Sequence, residues 1–330
     1  MARQAPRLDV TRFGEPPALD ATAVRPDYLE LPASVRQRIA SELGGEPDMI
    51  RIAGGGYTRG FAARLRSGSG PELFVKAAGP ETPGVRDMYR QEARVAAALP
   101  REVPAPRLLF ADEADEWSVA GFEAAQGEPV TLPMTAETLR QLLETWAETA
   151  AALTPPPIAL VNLGIRVKTG RSLKAFTQVA SGEQDPFALP PRLRGRIDEL
   201  AALEAPIDAL LVSDRVSHTD LRVDNMIIGT GRAWICDWTK PAYTAPWIDT
   251  VTLLLAAHAD GHDADGLFWS HPTAAAVAPE ELDTALAAIT GGSLRGWAGR
   301  PDNLISPAID DLMRWSGLAA ADWLAKRRGW

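Results

Sequence analysis

The stretch from Val216 to Asp237 constrains this chain more than any other. It reads Val216-Ser217-His218-Thr219-Asp220-Leu221-Arg222-Val223-Asp224-Asn225-Met226-Ile227-Ile228, then a turn bearing Gly229 and Gly231, then Trp234-Ile235-Cys236-Asp237. The apolar runs predict a strand ending at Val216, a short strand from Met226 to Ile228 and another from Trp234 to Cys236. Strands of one hairpin lie side by side, so the loop before the first and the residue after the second are neighbours. Asp220, Asn225 and Asp237 then fall within reach of one site. Two carboxylates and an amide are hard oxygen donors, a set that suits magnesium rather than zinc. The competing reading is a polar loop that merely carries scattered acids.

Upstream, Gly54-Gly55-Gly56-Tyr57-Thr58-Arg59-Gly60 predicts a turn between a strand at about Met49 to Ala53 and a strand from Phe61 to Arg66. Lacking Cβ atoms, Gly55 and Gly56 can bring backbone amides close to phosphate oxygens. Such a sequence is equally a plain hairpin turn. It is not a Walker A loop, because no Gly-Lys-Ser/Thr follows and the next element is a strand. The run Glu72 to Ala78 then places Lys76 inside an apolar strand, where a half-buried ammonium needs a partner. Glu92, on a helix predicted from Val85 to Leu99, is the preferred partner, since Glu81 lies in a Pro-bearing turn. A surface lysine and a solvated helix glutamate are the plainer alternative.

The wording His218-Thr219-Asp220-Leu221-Arg222-x-Asp224-Asn225 with Asp237-Trp238 downstream resembles the aminoglycoside phosphotransferase family of protein-kinase-like small-molecule kinases. The likeness runs from about Ile50 to Leu255. That family usually has Gly where this chain has Thr219, and often His where it has Arg222. The resemblance implies an α+β, bilobal protein-kinase-like fold, with a small sheet-plus-helix N-lobe and a larger, mostly helical C-lobe. It implies transfer of the γ-phosphoryl group of ATP (or GTP) to a hydroxyl of a small molecule, with Mg2+. In this scheme Asp220 is the base, Asn225 and Asp237 hold the metal, Lys76 holds the phosphates and Glu92 positions Lys76. Glu123 to Ala125 form the hinge that meets the adenine edge, while His218 and Asp249 support the catalytic loop. For Asp249 the alternative is a first-turn acid complementing a helix dipole. Arg222 stands where protein kinases often place a lysine facing the γ-phosphate, and is read either as a stabiliser of transition-state charge or as a structural ion-pair partner. Trp238-Thr239-Lys240 replaces the Phe-Gly of protein kinases, so no regulated activation loop is expected.

Composition sets the surrounding limits. With 330 residues, 46% hydrophobic and 23% charged, the chain has the make-up of a soluble protein of two lobes. A net charge of -9 implies no basic surface for nucleic acid. One cysteine, Cys236, rules out an internal disulfide and fits a reducing cytoplasm. The basic N-terminus has no apolar run behind it, so it does not read as a secretory signal, and no window approaches the ~18 apolar residues that span a bilayer. A cytoplasmic enzyme without membrane or nucleic-acid partners is expected.

Three segments follow: an N-terminal arm and helix at 1–45, a nucleotide-binding N-lobe at 46–125, and a C-lobe with the catalytic loop and acceptor site at 126–330. Residues 1 to about 30, rich in Pro, Asp and Arg, predict an extended arm, draped on the body or partly disordered. Ser34 is the expected cap of a helix ending at Leu43 before Gly44-Gly45. Helices are also predicted at about Thr135 to Leu153, Pro190 to Leu203, from Ala245 onward, Glu280 to Ile289 and Ile305 to Lys326. His258 and His262, four apart, are read as marking a helix end rather than a metal pair. The acids between Asp260 and Asp283 suggest a cationic acceptor such as an aminoglycoside or another antibiotic. The rivals are a sugar or amino-alcohol kinase of the same fold, a catalytically silent nucleotide-binding pseudokinase, and, least supported because no nucleophile motif is present, a magnesium-dependent phosphatase.

Overall fold

A computed structural model describes residues 13–170, 173–296 and 305–330. The first twelve residues of the expected arm lie outside the described residues. The remainder of the arm is extended apart from a one-turn helix at Tyr28–Glu30, capped by Asp27, and it is held on the body by its side chains.

The N-lobe is one antiparallel sheet of β1 (Met49–Ile52), β2 (Phe61–Arg66), β3 (Leu73–Ala78), β4 (Leu108–Ala114) and β5 (Trp117–Glu123), in the order β1-β2-β3-β5-β4. Side chains alternate faces along a strand, so one residue set builds the core and the other builds the cleft. Leu73, Val75 and Ala77 point outward and join Phe61, Ala63, Leu65 and Val119. Helix α1 (Ala33–Leu43) covers that face with Val35 and Ile39. This helix, grouped with the arm on sequence grounds, thus shares the core of the sheet. Gly44 ends it in the left-handed conformation, φ 77°. Ser34, expected as its cap, lies inside the helix, whose N-cap is Pro32, and its hydroxyl makes no cap bond. Phe74 and Lys76 point to the other face, towards α2 (Pro83–Ala98).

After β5 the chain passes through 124–127 into β6 (Glu128–Pro129), which pairs with β8 (Met226–Ile228) rather than with the N-lobe sheet. The C-lobe then assembles from α3 (Ala136–Ala152), α4 (Ile158–Asn162), α5 (Ala175–Ala180), α6 (Ile197–Glu204) and α7 (Ile207–Leu211), followed by α8 (Trp247–Ala259), α9 (Ala264–Ser270), α10 (Pro279–Leu294) and α11 (Ile309–Arg328). Trp146, Phe176, Phe268 and Trp323 fill its core. Thr135 caps α3 by accepting from the Thr138 amide. The helix expected from Pro190 is broken, with a 3-10 turn at Pro191–Leu193 separated from α6. The strand expected before Val216 shrinks to β7 (Val216–Ser217), because α7 occupies the residues ahead of it. No helix among the described residues is long and apolar enough to cross a membrane.

One buried acid makes stability depend on pH. Glu204 is fully buried, and Oε1 accepts from the Thr177 amide at 2.5 Å while Oε2 has no partner. Burial pushes its carboxyl up from 4.5 to about 7. The folded state therefore retains a proton that the unfolded chain releases, and stability is intact below about pH 4.5 and falls as pH rises towards 7. Glu204→Gln is expected to raise Tm at pH 8 and to leave it nearly unchanged at pH 4.5, as read by thermal denaturation at the two pH values. An equal shift at both would show that Glu204 does not titrate in this way.

Candidate active site

The loop between β7 and β8 is built by polar contacts from beneath. Asp249, in the first turn of α8, is buried, and its Oδ2 accepts from the Ser217 hydroxyl at 2.6 Å and the Thr219 amide at 2.9 Å. Thr219 adopts φ 65°, a left-handed conformation that costs an L-residue about 1–2 kcal/mol. Its hydroxyl donates to the Lys240 carbonyl at 2.6 Å, so the side chain adds a tether that glycine lacks. His218 is fully buried; Nε2 donates to the Cys236 carbonyl at 3.0 Å and Nδ1 accepts from the Asp220 amide at 3.3 Å. This network places the imidazole proton on Nε2. Trp238 packs edge-on against that ring at 4.6 Å and donates to the Ile235 carbonyl, which fixes the segment after Asp237. Asn225 Nδ2 donates to the Asp220 carbonyl at 2.8 Å, and the Cys236 amide donates to the Asn225 carbonyl.

Asp237 ends the hairpin made by β8 and β9 (Ala233–Ile235) at φ 60°. Its Oδ1 is buried with no hydrogen-bond partner. Burial pushes its carboxyl up, but the charges of Lys76, Lys240 and Arg222 outweigh that and hold it below the usual carboxylate range. Across the cleft, Lys76 Nζ donates to both carboxylate oxygens of Glu92, at 2.8 and 2.6 Å. Burial opposes the ammonium charge, yet Glu92 and Asp237 raise its pKa, so Lys76 stays protonated. Cys236 is pushed up to about 12 by burial and is no nucleophile at neutral pH.

Two cavities meet at the loop. The first, about 410 Å³, lies between the lobes and is lined by Gly55, Gly56, Lys76, Glu92, Asn225 and Asp237. Glu123 and Ala125 form its hinge side. The second, about 910 Å³, lies in the C-lobe and is lined by Asp220 and Arg222, with Leu255, Ile289, Leu312 and Trp315 among its other residues. Asp224 lines both. Arg222 is clamped between carboxylates: Nη1 donates to Asp220 Oδ1, while Nε and Nη2 donate to the two oxygens of Asp224 at 3.0 and 2.9 Å.

Other residues of the site carried no local signal. Arg64 lines the first cavity and donates to the Ala125 carbonyl, and Gln126 donates to that of Ala124. The carbonyls of Ala124 and Ala125 are therefore already engaged. The β-register offered a clue, since Arg64 faces Phe74 on the strand pair that carries Lys76. Asp224 sat in plain view in the loop, but nothing in its spacing distinguished it from a solvated acid. The acids between 260 and 283 lie elsewhere. Asp265 and Asp283 pair with Arg327, Asp260 accepts from the Met134 amide, and Asp263 caps α9. None of them lines the second cavity, so they give no support to a cationic acceptor. His258 contacts Asp322 and stacks on Trp323, and His262 bonds the Met134 carbonyl. Among the described residues no group of three or more His, Cys, Asp or Glu is placed to hold a metal ion.

The family model for the phosphotransferase enzyme family, APH, matches residues 49–293. The chain belongs to that family. No curated protein sequence matches it. Among solved structures it is similar to a thermostable mutant of the aminoglycoside phosphotransferase APH(4)-Ia in a ternary complex with AMP-PNP and hygromycin B. That match has 14% identity and a TM-score of 0.59, and covers 90% of this chain and 99% of the other. It is also similar to spectinomycin phosphotransferase APH(9)-Ia in complex with ADP and spectinomycin, at 12% identity and a TM-score of 0.53, covering 88% and 98%. At such identities the likeness carries the fold: an α+β, bilobal, kinase-like family member.

The support beneath the loop makes a stability prediction. Asp249→Ala removes an ionised acceptor from two buried donors, which costs about 1.5–3 kcal/mol per charged hydrogen bond before relaxation. Differential scanning fluorimetry is expected to show Tm lower by about 5 °C or more. A shift within one degree would mean that the loop holds itself.

Proposed function

We propose that this family member transfers the γ-phosphoryl group of ATP (or GTP) to a hydroxyl of a small molecule. The observation that carries the reading is the meeting of the two cavities at one loop, with the Lys76–Glu92 pair, Asn225 and Asp237 on one side and Asp220 on the other. Phosphoryl transfer asks a protein chiefly to position two substrates and neutralise charge, and this arrangement supplies both.

Lys76 holds phosphate oxygens, and Glu92 keeps its ammonium aimed into the cleft. The amides of Gly55 and Gly56 face the same phosphates, and the Ala125 amide meets the base. The orphaned, buried Asp237 Oδ1 and the amide oxygen of Asn225 are hard donors that fit Mg2+, which would neutralise phosphate charge when bound. Asp220 orients the acceptor hydroxyl and takes its proton. Its Oδ1 is tied to Arg222, so Oδ2 is the oxygen that meets the acceptor. Arg222 then acts on the base it grips, as well as adding positive charge near the transferring group. His218 and Asp249 hold the backbone that carries Asp220. The acceptor is a small hydroxyl compound taken into the second cavity, an antibiotic such as an aminoglycoside or a metabolite such as a sugar or amino alcohol. Screening ADP release against these classes separates them, and absence of ADP with every class while ATP binds would favour a silent nucleotide-binding module.

Asp220→Asn is expected to keep Mg·ATP affinity while acceptor-stimulated turnover falls by ~10²–10⁴-fold, the usual contribution of a positioned base. Turnover within threefold of wild type would remove Asp220 from this role. Asp237→Ala is expected to abolish most of the magnesium dependence of ATP binding, read by calorimetric titration with and without magnesium. An unchanged dependence would exclude it as a ligand.

A further inference from the structure

The N-terminal arm is built into the nucleotide cavity. Phe13 is buried in the C-lobe core near His258, and Tyr28 and Leu31 are buried in the N-lobe core, so the intervening residues span the two lobes. On the way, Leu19, Asp20 and Arg25 line the cavity beside Gly54, Gly55 and Gly56. The arm passes so close that a Cβ on Gly54 would lie 2.1 Å from the Asp20 carbonyl oxygen, and one on Gly55 would lie 2.6 Å from that of Leu19. Backbone contacts of this kind do not relax by a rotamer change. These glycines are therefore required by the arm, whatever a ligand asks of them.

The hydrogen bonds across this contact run in one direction. The amides of Thr22 and Ala23 donate to the Gly54 carbonyl, at 3.0 and 2.8 Å, and the Thr22 hydroxyl donates to that of Gly56 at 3.0 Å. The Arg25 guanidinium spans the loop, donating to the carbonyls of Ala53 at 3.0 Å, Gly55 at 2.9 Å, Gly60 at 2.8 Å and, more weakly, Thr58 at 3.4 Å. Six loop carbonyls, from Ala53 to Gly56 and at Thr58 and Gly60, are thus drawn towards the arm. The amides of Gly55, Gly56 and Tyr57 donate to no described residue. Carbonyl oxygens turned into the cleft would repel phosphates, whereas amides attract them. The guanidinium also continues into the phosphate-holding pair: Nη1 lies 3.4 Å from the Tyr89 hydroxyl, and the Tyr89 ring lies under Lys76 Nζ at 5.3 Å.

We infer that Arg25 is a positioning residue for the nucleotide phosphates, acting through the glycine-rich loop rather than by touching the reacting atoms. By holding the loop carbonyls from the arm it fixes the loop backbone, and with it the amides of Gly55 and Gly56 that line the cavity, before nucleotide arrives. The arm does as a fixed strap what a mobile glycine-rich loop does only on closing over its ligand, and lowers the ordering cost of binding. This assignment rests on the nucleotide reading of the cleft given above, and goes beyond it in placing the phosphate specificity in the arm.

The experiment compares Mg·ATP with adenosine on the full chain. Isothermal titration gives Kd for each with wild type, Arg25→Ala, Arg25→Lys and the milder Thr22→Val, each first checked for a cooperative melt. Arg25→Ala is expected to weaken Mg·ATP at least tenfold and adenosine less than twofold. Arg25→Lys is expected not to restore ATP affinity, because one ammonium cannot span four carbonyls held by a fork. Thr22→Val, which removes the Gly56 tether and keeps the guanidinium, should weaken ATP about threefold with the same selectivity. Equal losses for ATP and adenosine would overturn the assignment, since the arm would then be shaping the whole pocket, and so would unchanged ATP affinity in a variant that melts like wild type. Wild type that binds neither ligand would overturn the nucleotide reading of the cleft itself, a result distinct from either.

Discussion

The site depends on a buried carboxylate that holds a strained turn. Thr219 and Asp237 sit at positive φ, on either side of the β8–β9 hairpin, and each carries a Cβ that the left-handed region disfavours. What holds the first is Asp249, whose Oδ2 takes both the Ser217 hydroxyl and the Thr219 amide. What braces the second is the imidazole of His218, which spans from the Asp220 amide to the Cys236 carbonyl, one residue before Asp237. One carboxylate and one ring thus fix Asp220 and Asp237 relative to each other. Strain of this size persists only where the surroundings over-determine it. Here they do so from three sides, since the Thr219 side chain is itself tethered to the Lys240 carbonyl.

Much of the fold was legible because it rests on short-range pattern. The alternation in Leu73–Ala78 tells which residues build the outer core, and it sends Lys76 to the opposite face, where a helix of sufficient length delivers Glu92. The hairpin after Asp220 is legible for the same reason: glycines at the turn fix the register that brings Asn225 and Asp237 together. Long-range contacts without a period were not legible. Thr22 and Arg25 sit among prolines and acids, and nothing local tells that they meet a loop some thirty residues later. Their nearest signal is the excess of glycine at 54 to 56, which a phosphate-binding role explains equally well. Two causes act on the same glycines, and a sequence shows only their common result. Ser34 shows the same limit at smaller scale, since Pro32 starts the helix one turn-fraction early and leaves that hydroxyl inside.

Charge was the least legible quantity. Counting acids gives a lobe that looks attractive to cations, but the folded chain spends those acids on its own partners. Arg327 alone takes Asp265 and Asp283, and Arg328 lies near Asp283 and Glu199. What the second cavity presents is different: Asp185, Asp220 and Asp224 against Arg222 and Arg295, with Asp220 and Asp224 already paired to Arg222. Exposed charges farther off are screened within ~8–10 Å at working salt. The potential felt by an acceptor is therefore set by a few lining residues, and the net charge of -9 says little about it. The rest of that wall is largely apolar, with Leu255, Ile289, Leu312 and Trp315 among its residues. Under the function proposed above, shape and apolar contact would carry more of the selection than field strength, with polar discrimination left to the residues around Arg222. There the clamp of Arg222 ties Asp220 Oδ1 and both oxygens of Asp224, so most of the charge around that residue is already paired within the chain.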